Sequence, residues 1–390
     1  MKFVSRVTHS LLALLLATSA QAEVTLHGFG SLRAGALSAQ LENPNIVDFY
    51  QKSGLRWQDE SLFGLQSQVD LSQNLSFNAQ LIAKGINDYQ PDVTLAFAKY
   101  QLSPDQQIRF GRLSMPLFSQ SDVQYVGYAH DYSRLPKATY WRFEFETADG
   151  VSYEAKHTFG DAYAKYTLSW AEFRGDVFKN VVAQGVEIQL QDMRSVSLAL
   201  GYQNVEFFAG GLTANSKAQA LDDYIFSPAV KNTVSVFATD LNSQLEFYRA
   251  LSLTKDASYK FFGGRWHFAD WKLEFERAKY GILDSVDALT NTQYLALSRR
   301  FDDVIVTVHR ERYQQDPYSA AGLTKLNNEA LLQLAQKISV NINETGYAMN
   351  VLSMRYDFAA NFAWKADYFR GNSYSHGPFT GFSLGVDFVF

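Results

Sequence analysis

The sequence predicts an all-β fold, a transmembrane antiparallel β-barrel of about eighteen strands with sixteen as the alternative count. Three observations lead there. Segments of alternating apolar and polar residues recur along the chain after residue 22, the period of a strand with a different solvent on each face. Short polar links alternate with long connections between these segments, as in transmembrane barrels. Aromatic residues are plentiful, with 30 Phe and 22 Tyr against 8 Pro, a balance that favours sheet over disorder.

The elements follow in chain order. Lys2 and Arg6 precede an apolar run over residues 11–17, and Ala20, Gln21 and Ala22 supply a small-residue site before Glu23. This order predicts a secretory signal peptide over residues 1–22, its apolar core too short to span a bilayer. Residues 23–390 are then expected to form a single barrel domain, because a closed barrel uses all of its strands to remove its edges. Losing Lys2 and Arg6 with the peptide removes two positive charges and moves the formal charge from −5 to −7. No basic patch is present to replace phosphate counterions, so nucleic acid is excluded as a partner. The absence of Cys excludes disulfides and thiolate metal sites, and no nucleotide motif or metal cluster calls for a cofactor.

Leu75, Phe77, Ala79, Leu81 and Ala83 alternate with Ser76, Asn78, Gln80 and Lys84. Val186, Ile188 and Leu190 alternate with Glu187, Gln189 and Gln191, and Phe362, Trp364, Ala366 and Tyr368 alternate with Lys365 and Asp367. In each case the apolar set is expected to face lipid and the polar set water. Short links fall at residues 72–74, 103–105, 159–161, 191–193, 240–243, 269–270, 302–303 and 359–361, and long connections at 37–60, 113–149, 208–231 and 314–345. Eight short links joined by nine outer connections make about eighteen strands, an even number as a single-chain barrel requires. The strand pair at 233–240 and 244–253 has the weakest pattern. Residues 327–337, "NNEALLQLAQK", carry helical spacing and predict a short helix in an outer loop. Tyr153, Tyr166, Trp170, Tyr202, Trp266, Trp271, Tyr356, Trp364 and Tyr368 fall near the ends of apolar faces, where amphipathic rings meet lipid headgroups.

The chain closes on "GFSLGVDFVF", in which Gly381, Ser383 and Gly385 match G-x-S-x-G. A nucleophile elbow needs a helix after the turn, and only five residues remain after Gly385. Phe382, Leu384, Val386, Phe388 and Phe390 instead alternate with small or polar residues, so the segment reads as a strand.

These terminal segments carry a resemblance. "EVTLHGFGSLRAG" at 23–35 resembles the first strand of Gram-negative outer-membrane porins, and the closing segment resembles their last. "IRFGRLSMPL" at 108–117, with "VGYAHDYSRLPKATY" at 126–140, resembles the entry to the third loop in porins of the phosphate-selective O and P type. The resemblance implies a water-filled channel in the outer membrane, a third loop folded into the lumen, and a homotrimer. It also makes Phe390 part of a signal read by the barrel-assembly machinery. No arginine ladder of the phosphate-selective kind is evident, so phosphate is not implied. Partners are then outer-membrane lipid, the assembly machinery and small hydrophilic solutes.

Candidate constriction residues come from the third loop and the wall beside it: Arg112, Asp122, Asp131, Arg134, Lys137, Arg142, Glu144 and Glu146, with solvated or paired loop charges as the competing reading. Alternation alone suggests Lys84, Lys156, Lys165, Glu187, Arg265, Lys365 and Asp367 for the lumen wall. Met115, Leu117, Phe118, Val123 and Val126 would anchor the loop to the wall, since exposed they would be an association liability. A substrate-selective channel for a sugar, an organic acid or an anion is the alternative, with Tyr125, Tyr128, Tyr132, Tyr140 and Trp141 as a stacking track. A barrel enzyme would need a Ser/His or acid/His constellation, and His27, His130, His157, His267, His309 and His376 are scattered without a motif.

Overall fold

The alternating segments close into a wall of sixteen strands in the computed structural model, which describes residues 23–38, 50, 54–140, 146–177, 186–343, 346–374 and 377–390. The strands are β1 (Glu23–Leu37), β2 (Leu62–Asp70), β3 (Leu75–Lys84), β4 (Pro91–Ser103), β5 (Gln106–Ser114), β6 (Thr147–Phe159), β7 (Ala162–Val177) and β8 (Val186–Tyr202). They continue with β9 (Val205–Lys217), β10 (Asp256–Phe268), β11 (Trp271–Ile282), β12 (Thr290–Phe301), β13 (Val304–Gln314), β14 (Gly346–Ala359), β15 (Phe362–Ser373) and β16 (Gly377–Val389). Each pairs antiparallel with its sequence neighbours, and β1 pairs with β16 from Phe29↔Val389 to Leu37↔Gly381, so the sheet has no edge. The signal-peptide reading of residues 1–22 lies outside the described residues.

The alternation sets two faces, and the apolar one is the exposed one. On β16, Leu384 is 41% exposed while Ser383 beside it is 1% exposed and Asp387 is fully buried. Leu352 on β14, Val308 on β13 and Leu295 on β12 are likewise exposed, whereas Ser353, Thr307 and Glu274 point inward and are buried. Of the aromatic set, Trp170, Tyr202, Trp266, Tyr356, Trp364 and Tyr368 are exposed on the outward face. A soluble sandwich of the same pattern would bury the leucines. A wall in hydrocarbon leaves them outside.

Sixteen, the alternative count, is the one the structure has, for two reasons. The weak pair at 233–240 and 244–253 is helical. Pro228 sits at the first helical position of one helix (Pro228–Phe237), and the Asp240 carboxylate accepts from the Ser243 amide at 2.8 Å to start the next (Leu241–Leu251). Over so short a stretch Val and Thr alternation cannot be told from one helical face. The link at 191–193 is not a turn either but a bulge inside the long β8, with Asp192 at φ 50° and a register shift toward β9 between Gln191 and Arg194. The turn lies further on, at Gln203 (φ 50°) and Asn204, between β8 and β9. The long connection expected at 208–231 therefore begins only after β9.

Short turns gather at one rim and long loops at the other. The helices, numbered in chain order, are α1 (Lys137–Tyr140), α2 (Gln219–Ile225), α3 (Pro228–Phe237), α4 (Leu241–Leu251) and α5 (Glu329–Ile342). The last is the helix expected at 327–337, capped by Asn328, whose side chain accepts from the Leu331 amide at 3.1 Å. Helices α2 to α5 share an apolar cluster with Val286, Leu323, and Ile188 and Leu190 of β8, a folded cover on that side of the long-loop rim.

Candidate functional site

The third long connection, residues 115–146 between β5 and β6, turns into the barrel instead of away from it. Met115, Leu117 and Phe118 are buried against Tyr259 and Phe261 of β10, and Tyr125 and Val126 pack on Phe29, Leu62 and Ile82 of the inner wall. Four of the five expected apolar anchors thus touch the wall, while Val123 remains 38% exposed. Burying a loop in this way leaves backbone carbonyls without water, so the wall must supply donors. Arg355 donates to the Tyr128 and His130 carbonyls at 2.7 and 2.9 Å, and Lys365 donates to those of Gly127 and His130 at 2.6 and 2.7 Å. At Gly127 the loop backbone lies so near the wall that a Cβ would come within 2.8 Å of the Asp387 carboxylate.

Several buried charges at the loop–wall contact are ion-paired, as their desolvation demands, while Glu276 and Glu311 are held by hydrogen bonds from the loop. Asp387 of β16 bridges Arg33 of β1 at 2.9 Å and Lys365 of β15 at 3.0 Å. Arg134 of the loop reaches Glu60, on the connection between β1 and β2, and Asp367 of β15, both at 2.9 Å. Its guanidinium lies 4.7 Å from the Phe369 ring centroid. Glu274 of β11 accepts from the Tyr132 and Tyr294 hydroxyls and the Gln120 amide, each at 3.0 Å, and Glu276 accepts from Tyr140 at 2.8 Å. Burial would raise the Asp131 carboxyl, but Lys272 at 2.7 Å holds it below its ordinary value.

The predicted site residues divide into five groups. Arg134, Lys137, Lys365 and Asp367 are buried at the loop–wall contact and fasten the loop. Lys84, Lys165, Arg265 and Asp131 reach the interior with partial exposure, and Lys156 reaches it exposed. Lys84 bonds the Tyr125 hydroxyl, which in turn donates to Glu146. Lys156 lies 4.9 Å from the Tyr163 ring, Lys165 pairs with Glu154 at 3.0 Å, and Arg265 pairs with Glu206 and Glu274 at 3.2 Å each. Asp122 is exposed on the loop and forms no ion pair among the described residues.

Two predicted residues fall on the wrong side of the wall. Arg112 shares the outward face of β5 with Ile108 and Phe110 and pairs with Asp149 of β6 at 3.0 Å, outside the lumen. Its nearness in sequence to the third loop misled, because the inward parity of β5 belongs to Arg109 and Leu113. Glu187 also points outward, to Arg174 at 3.0 Å, because the bulge at Asp192 reverses the faces of β8. Ile188 and Leu190 thereby turn inward against the helical cover rather than to lipid, and Val186 on the same face is buried. Arg142, Glu144, Trp141 and His376 lie outside the described residues.

Alternation, applied further, would have found what was missed. Glu274 and Glu276 alternate with Leu273 and Phe275, and Arg109 with Ile108 and Phe110, the same signal that marked Lys365 and Asp367. Arg33 and Glu60 carry no such mark, since their importance comes from what the third loop brings to them. The stacking track fails for a physical reason. Tyr132 and Tyr140 are fully buried, Tyr125 is tied to Lys84 and Glu146, and Tyr128 lies under Arg355, its ring centroid 4.7 Å from the guanidinium.

No protein-family model matches the chain, and no curated protein matches it in sequence. Solved structures do match. The outer membrane channel DcaP of Acinetobacter baumannii aligns over 95% of this chain and 98% of its own, with a TM-score of 0.59 at 12% identity. The anion-selective porin from Comamonas acidovorans aligns over 95% and 100%, with a TM-score of 0.56 at 14% identity. The trimer form of the Vibrio cholerae outer membrane protein OmpT aligns over 95% and 99%, with a TM-score of 0.50 at 12% identity. A closed sixteen-stranded wall with its third loop turned inward, matched end to end by these structures, gives this chain the barrel fold of the Gram-negative outer-membrane porins.

Proposed function

We propose that the chain is an outer-membrane porin, exported by a signal peptide cleaved after Ala22, which holds a water-filled channel open for passive diffusion of small hydrophilic solutes and ions. The observation that carries this reading is the third loop, seated inside a wall that is apolar outside and polar within. Backbone groups of the wall are paired between strands, so the wall tolerates hydrocarbon while its inner face stays wet. Sixteen strands enclose more space than side chains fill, and a loop across that space sets the narrowest point. The loop leans on β10 to β16 and on β1, and its Tyr125 and Val126 reach Leu62 of β2 and Ile82 of β3. The path therefore runs along β4 to β7, past the half-exposed Arg109, Glu154 and Lys165. Neither a cofactor nor a reaction is required. By the same reading the protein is a homotrimer, as one structural neighbour is in its trimer form.

The test is planar-bilayer conductance of the parent and of a chain shortened between Ser119 and Lys137. The shortened chain is expected to conduct more and to admit larger solutes. A folded, inserted variant that conducts like the parent would place the constriction elsewhere. Neutralising Arg134 and Lys137 is not a test of selectivity, because both are buried anchors.

Phe390 is proposed as the assembly signal. It exchanges backbone hydrogen bonds with Gly28 at 2.8 and 2.9 Å, and its ring covers the space where a Gly28 side chain would stand. Deleting Phe390 is expected to lower the amount of heat-modifiable barrel in the outer membrane with signal cleavage unchanged. Normal insertion of the truncated chain would remove that role.

A further inference from the structure

The charged residues of β11, β13 and β15 are sorted between the two faces of the wall. Glu274 and Glu276 of β11, Glu311 of β13 and Asp367 of β15 all point inward and are buried. Toward the long-loop rim, Arg277 and Lys279 of β11, Arg310 and Arg312 of β13, and Arg370 of β15 all point outward and are exposed. Each outward series follows directly on the apolar belt of its own strand, after Phe275, Val308 and Tyr368 respectively. The cations therefore stand where the hydrocarbon ends, at the depth of lipid headgroups.

These five side chains form no ion pair among the described residues, and no carboxylate shares the outward faces of β11 to β16 at that level. Register joins them into one surface. Arg277 lies opposite Gln293 of β12, which lies opposite Arg312, and Arg310 lies opposite Asn350 of β14, which lies opposite Arg370. Arg277 and Arg312 are thus two strand spacings apart, roughly 10 Å. They flank a shallow outward groove floored by Asn291, Gln293 and Gln314. Asp316 stands at its upper edge, where its carboxylate accepts from the Tyr318 amide at 3.0 Å. On the other side of the barrel the outward arginines of the described strands carry counter-charges. There Arg112 is paired with Asp149, Arg174 with Glu187 and Arg194 with Asp192.

We infer that this groove and belt bind a phosphorylated lipid headgroup of the leaflet at the long-loop rim. Four of the five cations are arginines, whose planar fork donates to phosphate oxygens in pairs, and the glutamine and asparagine amides between them supply further donors. A phosphate lying between Arg277 and Arg312 would relieve two cations that the fold leaves without counter-charge, while the acyl chains continue down the belt over Phe275, Leu295 and Val308. The inference rests on the membrane reading proposed above.

The experiment uses the full-length protein purified in detergent and incubated with bisphosphorylated lipid A or with its dephosphorylated form, with retained lipid read by native mass spectrometry. The parent is expected to retain the bisphosphorylated lipid alone. The doubly substituted chain Arg277→Gln, Arg312→Gln is expected to lose it, while Arg299→Gln, at the short-turn rim, is expected to keep it. Both changes in the double variant are on exposed side chains, and unaltered heat-modifiable mobility verifies its fold. Equal retention of the two lipids, or by the double variant and the parent, overturns the inference, as does displacement of the lipid by inorganic phosphate. A parent that conducts but retains no lipid A overturns this inference alone, whereas a parent that neither inserts nor conducts overturns the porin reading.

Discussion

Replacing Arg134 by alanine is expected to cost about 3–5 kcal/mol, because it removes one member of a buried charge network and strands the others. Arg134 is 7% exposed and holds two carboxylates, Glu60 and Asp367, that belong to parts of the chain far apart in sequence. Asp367 retains the Ser383 hydroxyl at 2.7 Å, which is no substitute for a cation. Glu60 loses the guanidinium that fixes the first long connection to the third. Arg134→Lys keeps the charge without the planar fork that reaches both carboxylates, and should recover only part of the loss. Urea unfolding followed by heat-modifiable mobility measures the stability, and limited proteolysis of the third loop measures its release. A variant with the parent's midpoint and a protected loop would show that the network is not what holds the loop.

The second large effect is expected on the outward face. Leu384→Arg puts a guanidinium into hydrocarbon near the middle of β16 and should cost about 2–4 kcal/mol of folded barrel. The control matters here. Ser383 is the neighbouring inward residue, but it is 1% exposed and bonded to Asp367, so arginine there meets a crowded wall and is also damaging. Gln66 of β2, inward and half-exposed, is the proper comparison, and Gln66→Arg should cost little. Equal losses at Leu384 and Gln66 would mean that the faces are reversed.

Much of this was legible before any fold was known. Alternation on β3, β15 and β16 assigned the outward and inward faces correctly, since a strand's period of two leaves no freedom once one face must be apolar. It failed at Glu187 because a single bulge at Asp192 shifts parity, and the extra residue carries no mark in the sequence beyond a plausible turn. It failed at 233–253 because valine, threonine and serine at short range satisfy both periods. Arg112 was misassigned by nearness to the third loop, where its parity with Phe110 was the better guide.

Whether a charge works as a lumen charge or as an anchor was not legible at all. Lys165 and Lys365 occupy equivalent places in an alternating pattern, yet one is partly exposed beside Glu154 and the other is fully buried against the loop carbonyls. The difference arises from which part of the wall the third loop covers.

The sequence by itself determined a membrane wall, its two faces, an even strand number and a long third connection too apolar to stay outside. These follow from local period and from the transfer cost of side chains, which each segment carries alone. Only the tertiary structure decided the count of sixteen, the side of the barrel on which the loop rests, and the pairing of Arg134 with Glu60 and Asp367 and of Asp387 with Arg33 and Lys365. Those depend on closure, which brings β1 against β16 and the loop against both, and the desolvation of a buried charge is settled only by the partners that closure delivers.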